Sequence, residues 1–392
     1  MNNEPKKQIK KLNLNTKQSC FFAKSIAVLS LSFVLQGRSC QSGSGIQDRI
    51  VKTTTNKEFC DEIGNKKDIS IPDRETGKNW LYTAVSYNQL EKVKHILKRI
   101  DEDIASSFEY KNKDFANIYH KKSNKTALGI AIEKGYTEIV KQLVANKHID
   151  INKAKKGSTP LLEALLHKKE AIAAILLNYS KTDICTKDAT SDSSPLHLAI
   201  EQKYQDIALS LINKLDQQGL KEKNKQYETP LHLVIEHNLD HLVKLLVNRL
   251  SAVADLCAQD KKGRTPLHMA VRDNHTDVFQ VVFHRIEHLC NDKSTSISKL
   301  FEKDKEGRSV FARACLPKHT TQRWVGIFEN NVKMFESILS TVENNLATTD
   351  WESIANEING LWKKGTIKEE YKDKLLKIVD RYRSAQNIAI GV

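Results

Sequence analysis

One string in the chain carries residue types at a spacing suited to hydrolytic chemistry, His284-Arg-Ile-Glu287-His288. Imidazoles at i and i+4 lie on one face of a helix and can share a zinc ion, with Glu287 as the base that activates a bound water. Against this, no partner motif and no evident third ligand accompany the string, although Cys290 is close in sequence. His232, His237 and His241 form a looser cluster. Lys155-Lys156-Gly157-Ser158 echoes a nucleotide loop only superficially, and no nucleophile elbow or paired-carboxylate site emerges. Seven cysteines include no C-x-x-C pair, too few and too scattered for a disulfide scaffold.

These groups sit on a repeat, and the repeat decides how they are read. One phrase recurs at Gly157-Ser-Thr-Pro-Leu-Leu-Glu-Ala164, Asp192-Ser-Ser-Pro-Leu-His-Leu-Ala199, Tyr227-Glu-Thr-Pro-Leu-His-Leu-Val234 and Gly263-Arg-Thr-Pro-Leu-His-Met-Ala270. Weaker copies end at Ala84, Ala131 and Ala314, and successive copies are separated by 47, 33, 35, 35, 36 and 44 residues. Thr159, Ser194, Thr229 and Thr265 are of a type that caps a helix, and the prolines after them suit the first helical position, where no N–H is needed. A second segment follows each time with apolar residues at i, i+3 and i+4, as in Glu138–Val144 and His241–Val247. A single pair of such helices cannot bury its apolar face, so neighbouring pairs must stack.

The Thr-Pro-Leu-His-x-Ala phrase strongly resembles the signature of the ankyrin repeat, over about residues 76 to 345. The resemblance implies an all-α solenoid of about seven helix-turn-helix repeats with short hairpin fingers and a C-terminal helical cap. It also implies that His197, His232 and His268 make internal hydrogen bonds that order each turn. The glycine that usually closes the second helix is absent, and Asn146, Asn178, Asn213 and Asn248 stand in its place, each expected in a left-handed turn. Cys185 and Cys257 fall at equivalent finger positions two repeats apart, beyond disulfide reach. His284-x-x-Glu287-His288 has the order found in inverzincin metallopeptidases, but it lies on the second helix of the sixth repeat. A zinc-dependent hydrolase is therefore the alternative reading, and the expectation is a protein without catalysis, metal or cofactor.

The amino terminus has an address-like pattern. Lys6, Lys7, Lys10, Lys11, Lys17 and Lys24 precede the apolar run Ser25–Leu35, which is shorter than the roughly 20 residues of a spanning helix. Residues 1–39 read as a signal peptide cleaved before Cys40. Ser39-Cys40 resembles a bacterial lipobox, with Cys40 the lipidated residue, although Gly37 stands where that motif has Leu and Arg38 lies inside it. Residues 40–72 read as a polar, disordered linker, 73–345 as the solenoid and 346–392 as the cap, in which Ile354, Ile358, Leu361 and Trp362 share a face. The expected location is outside the cytoplasm, either lipid-anchored in the bacterial envelope or secreted.

The chain has 62 Lys and Arg against 48 Asp and Glu, a net charge of +14. Seven basic and one acidic residue lie before Cys40, so much of that excess belongs to the export segment. Repeats of this type imply contacts through finger tips and the inward side of each first helix. On the fingers the candidates are Lys155, Lys156, Ser158, Gln226, Glu228, Lys261, Lys262 and Arg264. On the inner helices they are His167, Glu236, His237, Arg272 and Asp273. The mixed signs argue against nucleic acid, which wants a continuous basic stripe. A protein partner with acidic patches is the expectation, a host protein engaged by a delivered effector being one form of it; the membrane is reached only through Cys40, and the chain is expected to be a monomer.

Overall fold

The computed structural model describes residues 44–64, 78–106, 115–153 apart from 122, 158–290, 298–316, and 324–390 apart from 343–345, 347 and 365. Among these residues the regular structure is helical, with no strand. Two helices lead, α1 (Ser44–Thr53) and α2 (Asn56–Gly64). Then follow the pairs α3 (Trp80–Ser86) and α4 (Leu90–Ser106), α5 (Ala127–Lys134) and α6 (Thr137–Ala145), α7 (Pro160–Leu166) and α8 (Glu170–Leu177), and α9 (Pro195–Glu201) and α10 (Gln205–Lys214). A single turn, α11 (Gln217–Leu220), leads to α12 (Pro230–Glu236) and α13 (Asp240–Arg249). Another, α14 (Val253–Leu256), leads to α15 (Pro266–Arg272) and α16 (Thr276–Leu289). The stack closes with α17 (Val310–Ala314), α18 (Trp324–Val342), α19 (Thr348–Lys363) and α20 (Glu369–Ile390). First helices pack on first helices and second on second along the whole series, so the fold is the expected ankyrin-repeat solenoid.

Each inner helix begins where the cap residues place it. The hydroxyls of Thr126, Thr159 and Ser309 accept the amides of Gly129, Leu162 and Ala312, and Asn79 does the same for Tyr82. Where the fourth position of the phrase is His, a second bond system is added. The Nδ1 atoms of His197, His232 and His268 accept the backbone amides of Ser194, Thr229 and Thr265 at 3.2–3.3 Å and lie 2.7–2.8 Å from their hydroxyls. The ring proton is thereby assigned to Nε2, which donates to the carbonyls of Glu228, Arg264 and Arg308 in the next repeat, each at 3.1 Å. The internal bond implied for these histidines is therefore also a bond between repeats.

The left-handed turns lie elsewhere than expected. Asn146 is extended (φ −82°), Asn178 is right-handed helical (φ −71°), and Asn213 and Asn248 are inside α10 and α13. The left-handed residue instead joins inner to outer helix, at Asn88, Gly135, Lys168, Lys203, Asn238 and Asn274. The outer-helix carbonyls, with no glycine cap, are satisfied by a cation from the following repeat. Lys214 donates to the Leu177 carbonyl, Arg249 to those of Ile212 (2.8 Å) and Leu215 (2.8 Å), and Arg285 to that of Leu250 (3.1 Å). A positive group at a helix C-terminus also meets the favourable end of the helix dipole.

The polar stretch 40–72, expected to be disordered, instead contains α1 and α2. They bury Ile50, Val51, Phe59 and Ile63, with α1 on α3 and α2 on α4. These sparse apolar residues find a surface only once the first repeat exists. Lys92, buried on α4, fixes the contact by donating to the Val51 (2.6 Å) and Thr54 (2.8 Å) carbonyls. Burial lowers its pKa, against the pull of Glu58. At the other end α19 buries Ile354, Ile358 and Leu361 against the stack. Trp362, expected on that face, is 37% exposed beneath the Lys372 ammonium (4.3 Å).

Burial pulls His197 and His232 down to about 4 and lowers His268, although their carbonyl bonds favour the charged ring. A group depressed in the folded state contributes fully above its unfolded value near 6.5, and that contribution is lost as pH falls from there toward 4. The melting temperature followed by circular dichroism should drop across that interval, and His232→Asn should remove part of the dependence while lowering stability at pH 7.5. At the left-handed positions, Lys168→Gly or Lys203→Gly should raise stability by about 0.5–1 kcal/mol. Gly263→Ala should lower it by about 2 kcal/mol, because φ is +75° and the new Cβ would lie 2.9 Å from the Lys305 backbone nitrogen. Shifts of the urea midpoint at constant m check both signs.

Candidate functional site

The fingers between repeats are built on a recurrent Asp or Asn. The amides of Asn224, Asp260 and Asp304 donate to the carbonyls of Glu228, Arg264 and Arg308 at 2.9–3.0 Å. Their side-chain oxygens accept amides two and four residues on, those of Gln226 and Glu228, Lys262 and Arg264, and Glu306 and Arg308. A left-handed residue completes each turn, namely Tyr227, Gly263 and Gly307. Adjacent tips are tied through the backbone: Lys225 N–H to Ser191 O (2.9 Å), Lys261 N–H to Gln226 O (2.7 Å), and Lys305 N–H to Lys262 O (2.9 Å). The close approach explains Gly263, since any Cβ there would strike the next finger's backbone.

The expected finger contacts divide on this scaffold. Gln226, Lys261 and Lys262 are exposed at the tips. Arg264 is not a surface contact: it is 8% exposed, and its guanidinium is bonded to the Asp260 carboxylate at 2.6 and 2.7 Å. Burial opposes ionisation of Asp260, but the bonds from Arg264 outweigh it and hold the carboxyl below the usual range. Glu228 is half-buried, taking a bond from Asn224 Nδ2 (3.1 Å) while its carbonyl receives His197. Ser158 is half-buried, with its hydroxyl oxygen enclosed. Lys155 and Lys156 lie outside the described residues.

On the inner helices His167 is exposed at the end of α7, beside an exposed Leu166. His237 is half-buried as the cap of α12. Arg272 is turned onto Asp273 (2.6 and 3.0 Å), with exposed Glu236 at 3.9 Å. Several charges that look available in the sequence thus neutralise one another. Sequence reasoning missed Lys225, Lys305 and Tyr227, all exposed at tips. Tyr227, at 56%, is the most exposed large apolar side chain described. The signal was present: Lys225 and Lys305 each follow the turn-forming Asn or Asp, as Lys261 does.

The string suited to zinc falls on the last turns of α16. His284 is 62% exposed and lies 3.3 Å from Glu287 Oε2, while His288 is exposed one turn on. Among the described residues no three His, Cys, Asp or Glu side chains converge into a metal-binding group. His232 is wholly buried and engaged in its bridge, so it forms no cluster with His237 and His241. The described geometry gives the hydrolase reading no site.

A family model for ankyrin repeats, built as three copies, matches residues 104–188 and 196–294. Among solved structures, the ankyrin repeat domain of Bcl-3, described as a unique member of the IkappaB protein family, is similar at 18% identity and a TM-score of 0.44. It covers 65% of this chain and 99% of that one. No curated protein sequence matches significantly. The helix pairs, the capped Thr-Pro-Leu-His turns and the matched segments together define an ankyrin-repeat solenoid, with ankyrin repeats at residues 104–188 and 196–294.

Proposed function

We propose that this protein is a non-catalytic scaffold that holds a protein partner through its finger tips and inner helices. Ankyrin repeats are protein-interaction modules and in general carry no chemistry of their own. The observation that carries the reading is the division of polar groups along each finger. The turn-forming Asp and Asn and the cap residues are consumed in internal bonds, whereas Gln226, Tyr227, Lys261 and Lys262 stand exposed on backbone made rigid by finger-to-finger bonds. A preorganised exposed edge binds without a large ordering penalty. Leu166 and His167 add an exposed apolar and polar pair on the inner side.

The reading extends to location. Residues 1–39 direct export, and the mature chain begins at Cys40, either lipid-anchored in the bacterial envelope or released. A host protein with acidic patches, met by a delivered effector, is the partner class that fits the lysines on the fingers. The support is the basic segment before the apolar run Ser25–Leu35 and the Ser39-Cys40 pair.

A photo-reactive phenylalanine analogue placed at Gln226 or His167 should cross-link a protein from a cell lysate, and one placed at exposed Leu209 on the outer face should not. Equal labelling from all three positions would refute a partner held on the finger and inner-helix side. Mass spectrometry of the chain made in a bacterial host should find an amino terminus at residue 40, carrying lipid mass that Cys40→Ala abolishes if the anchor is used. An intact Met1 terminus would overturn the export reading.

A further inference from the structure

The finger edge of the last three repeats carries an unpaired row of ammonium groups. Lys225, Lys261 and Lys305 occupy the same position on consecutive fingers, the residue after Asn224, Asp260 and Asp304, and all three are exposed. Their register is set by the backbone, since each of their amides donates to the preceding tip. It persists across the longer connection between the sixth and seventh repeats, because the Lys305-to-Lys262 bond repeats the Lys261-to-Gln226 bond. Lys262 stands beside Lys261, and Tyr227 is exposed on the first of the three fingers.

The carboxylates nearby are already engaged. Glu228 takes Asn224, Asp260 takes Arg264, Asp304 takes two backbone amides, and Glu306 pairs with Arg308. Among the described residues no carboxylate is in ion-pair contact with Lys225, Lys261, Lys262 or Lys305. The row ends at the fourth repeat's finger, where Ala189 follows Asp188 and Asp192 lies at the tip. It is therefore a short basic edge of three fingers.

We infer that this edge recognises an extended acidic peptide segment with a carboxylate at about every third residue. Helices of packed neighbours lie about 8–10 Å apart, so lysines one repeat apart recur at roughly that distance. An extended chain of the polyproline II type rises about 3.1 Å per residue with three residues per turn, so carboxylates at i, i+3 and i+6 share one face and reach successive fingers. Tyr227, exposed on the first finger two residues after Lys225, offers an apolar face to a neighbouring peptide side chain. A duplex or single strand of nucleic acid fits less well. It presents charge more densely than one group per finger, and its affinity wants a longer stripe than three lysines.

The inference rests on the protein-binding reading, and the experiment separates the two. Fluorescence anisotropy of the whole chain is read with labelled nine-residue peptides carrying three Glu in a Gly/Ser background, either at positions 2, 5 and 8 or contiguous. A single-stranded oligonucleotide of the same charge is the third probe. The spaced peptide should bind several-fold more tightly than its contiguous isomer. It should weaken about tenfold in Lys225→Glu/Lys261→Glu/Lys305→Glu, a variant of exposed residues whose fold is checked by circular dichroism, and about as much between 50 and 300 mM salt. Equal binding of the two isomers, tighter binding of the oligonucleotide, or no loss in the triple variant overturns the inference. If the peptides fail while finger-specific cross-linking persists, this proposal falls and the scaffold reading stands; loss of both removes both.

Discussion

The imidazole bridge is the interaction on which the middle of the stack depends. A buried, neutral ring takes the cap residue's backbone amide on Nδ1 and gives its Nε2 proton to a carbonyl 31 to 40 residues away. The first bond fixes the start of an inner helix; the second fixes where the next finger closes, one residue before the following cap. Helix stacking supplies the apolar driving force, but apolar contact is nondirectional and would tolerate sliding. The bridge removes that freedom, and finger positions follow from it. Burial keeps the rings neutral and the amide on Nδ1 keeps the proton on Nε2, so the desolvation that lowers their pKa also helps to hold the register.

Repeats without the histidine use other means. In the first, Tyr82 stacks on His120 at 4.9 Å and shares a bond with Ser123. In the second, Gly129 stands in the place of the ring. In the seventh, the Ser309 hydroxyl meets the carboxyl of Glu357 from α19, so the terminal helices finish the cap network as well as the apolar face. Burial pushes the Glu357 carboxyl up, against the bond from Ser309. At the C-terminal end α19 thus supplies a partner to the cap residue where a further repeat would have provided one.

The basic excess acquires a different meaning in three dimensions. Lys92, Lys214, Arg249 and Arg285 close helix ends of the preceding unit, and Lys187 and Lys223 reach the Lys223 and Gln259 carbonyls. Part of what composition suggests as affinity for anions is internal capping. The cations left at the finger tips are fewer, but they are held on ordered backbone in a fixed spacing. Such an arrangement favours selection by spacing over general attraction.

The repeat, its period, its caps and its amphipathic second helices were legible in the residues alone, because each is a local pattern: Thr-Pro at a helix start, apolar residues at i, i+3 and i+4, and a recurring interval. The left-handed residues were placed wrongly at Asn146 and its counterparts, because Lys168 and Lys203 do not advertise a positive φ and the true caps come from another repeat. Residues 44–64 looked like a linker because Ile50, Val51, Phe59 and Ile63 form a face only against α3 and α4. At the candidate site, Gln226, Lys261 and Lys262 could be read from the finger motif, whereas the burial of Arg264 and the pairing of Arg272 with Asp273 could not. Residue type determined which segments would be helices and that they would stack. Only the tertiary structure decided which charges remain for a partner, since that depends on carbonyls and carboxylates brought close by neighbouring repeats.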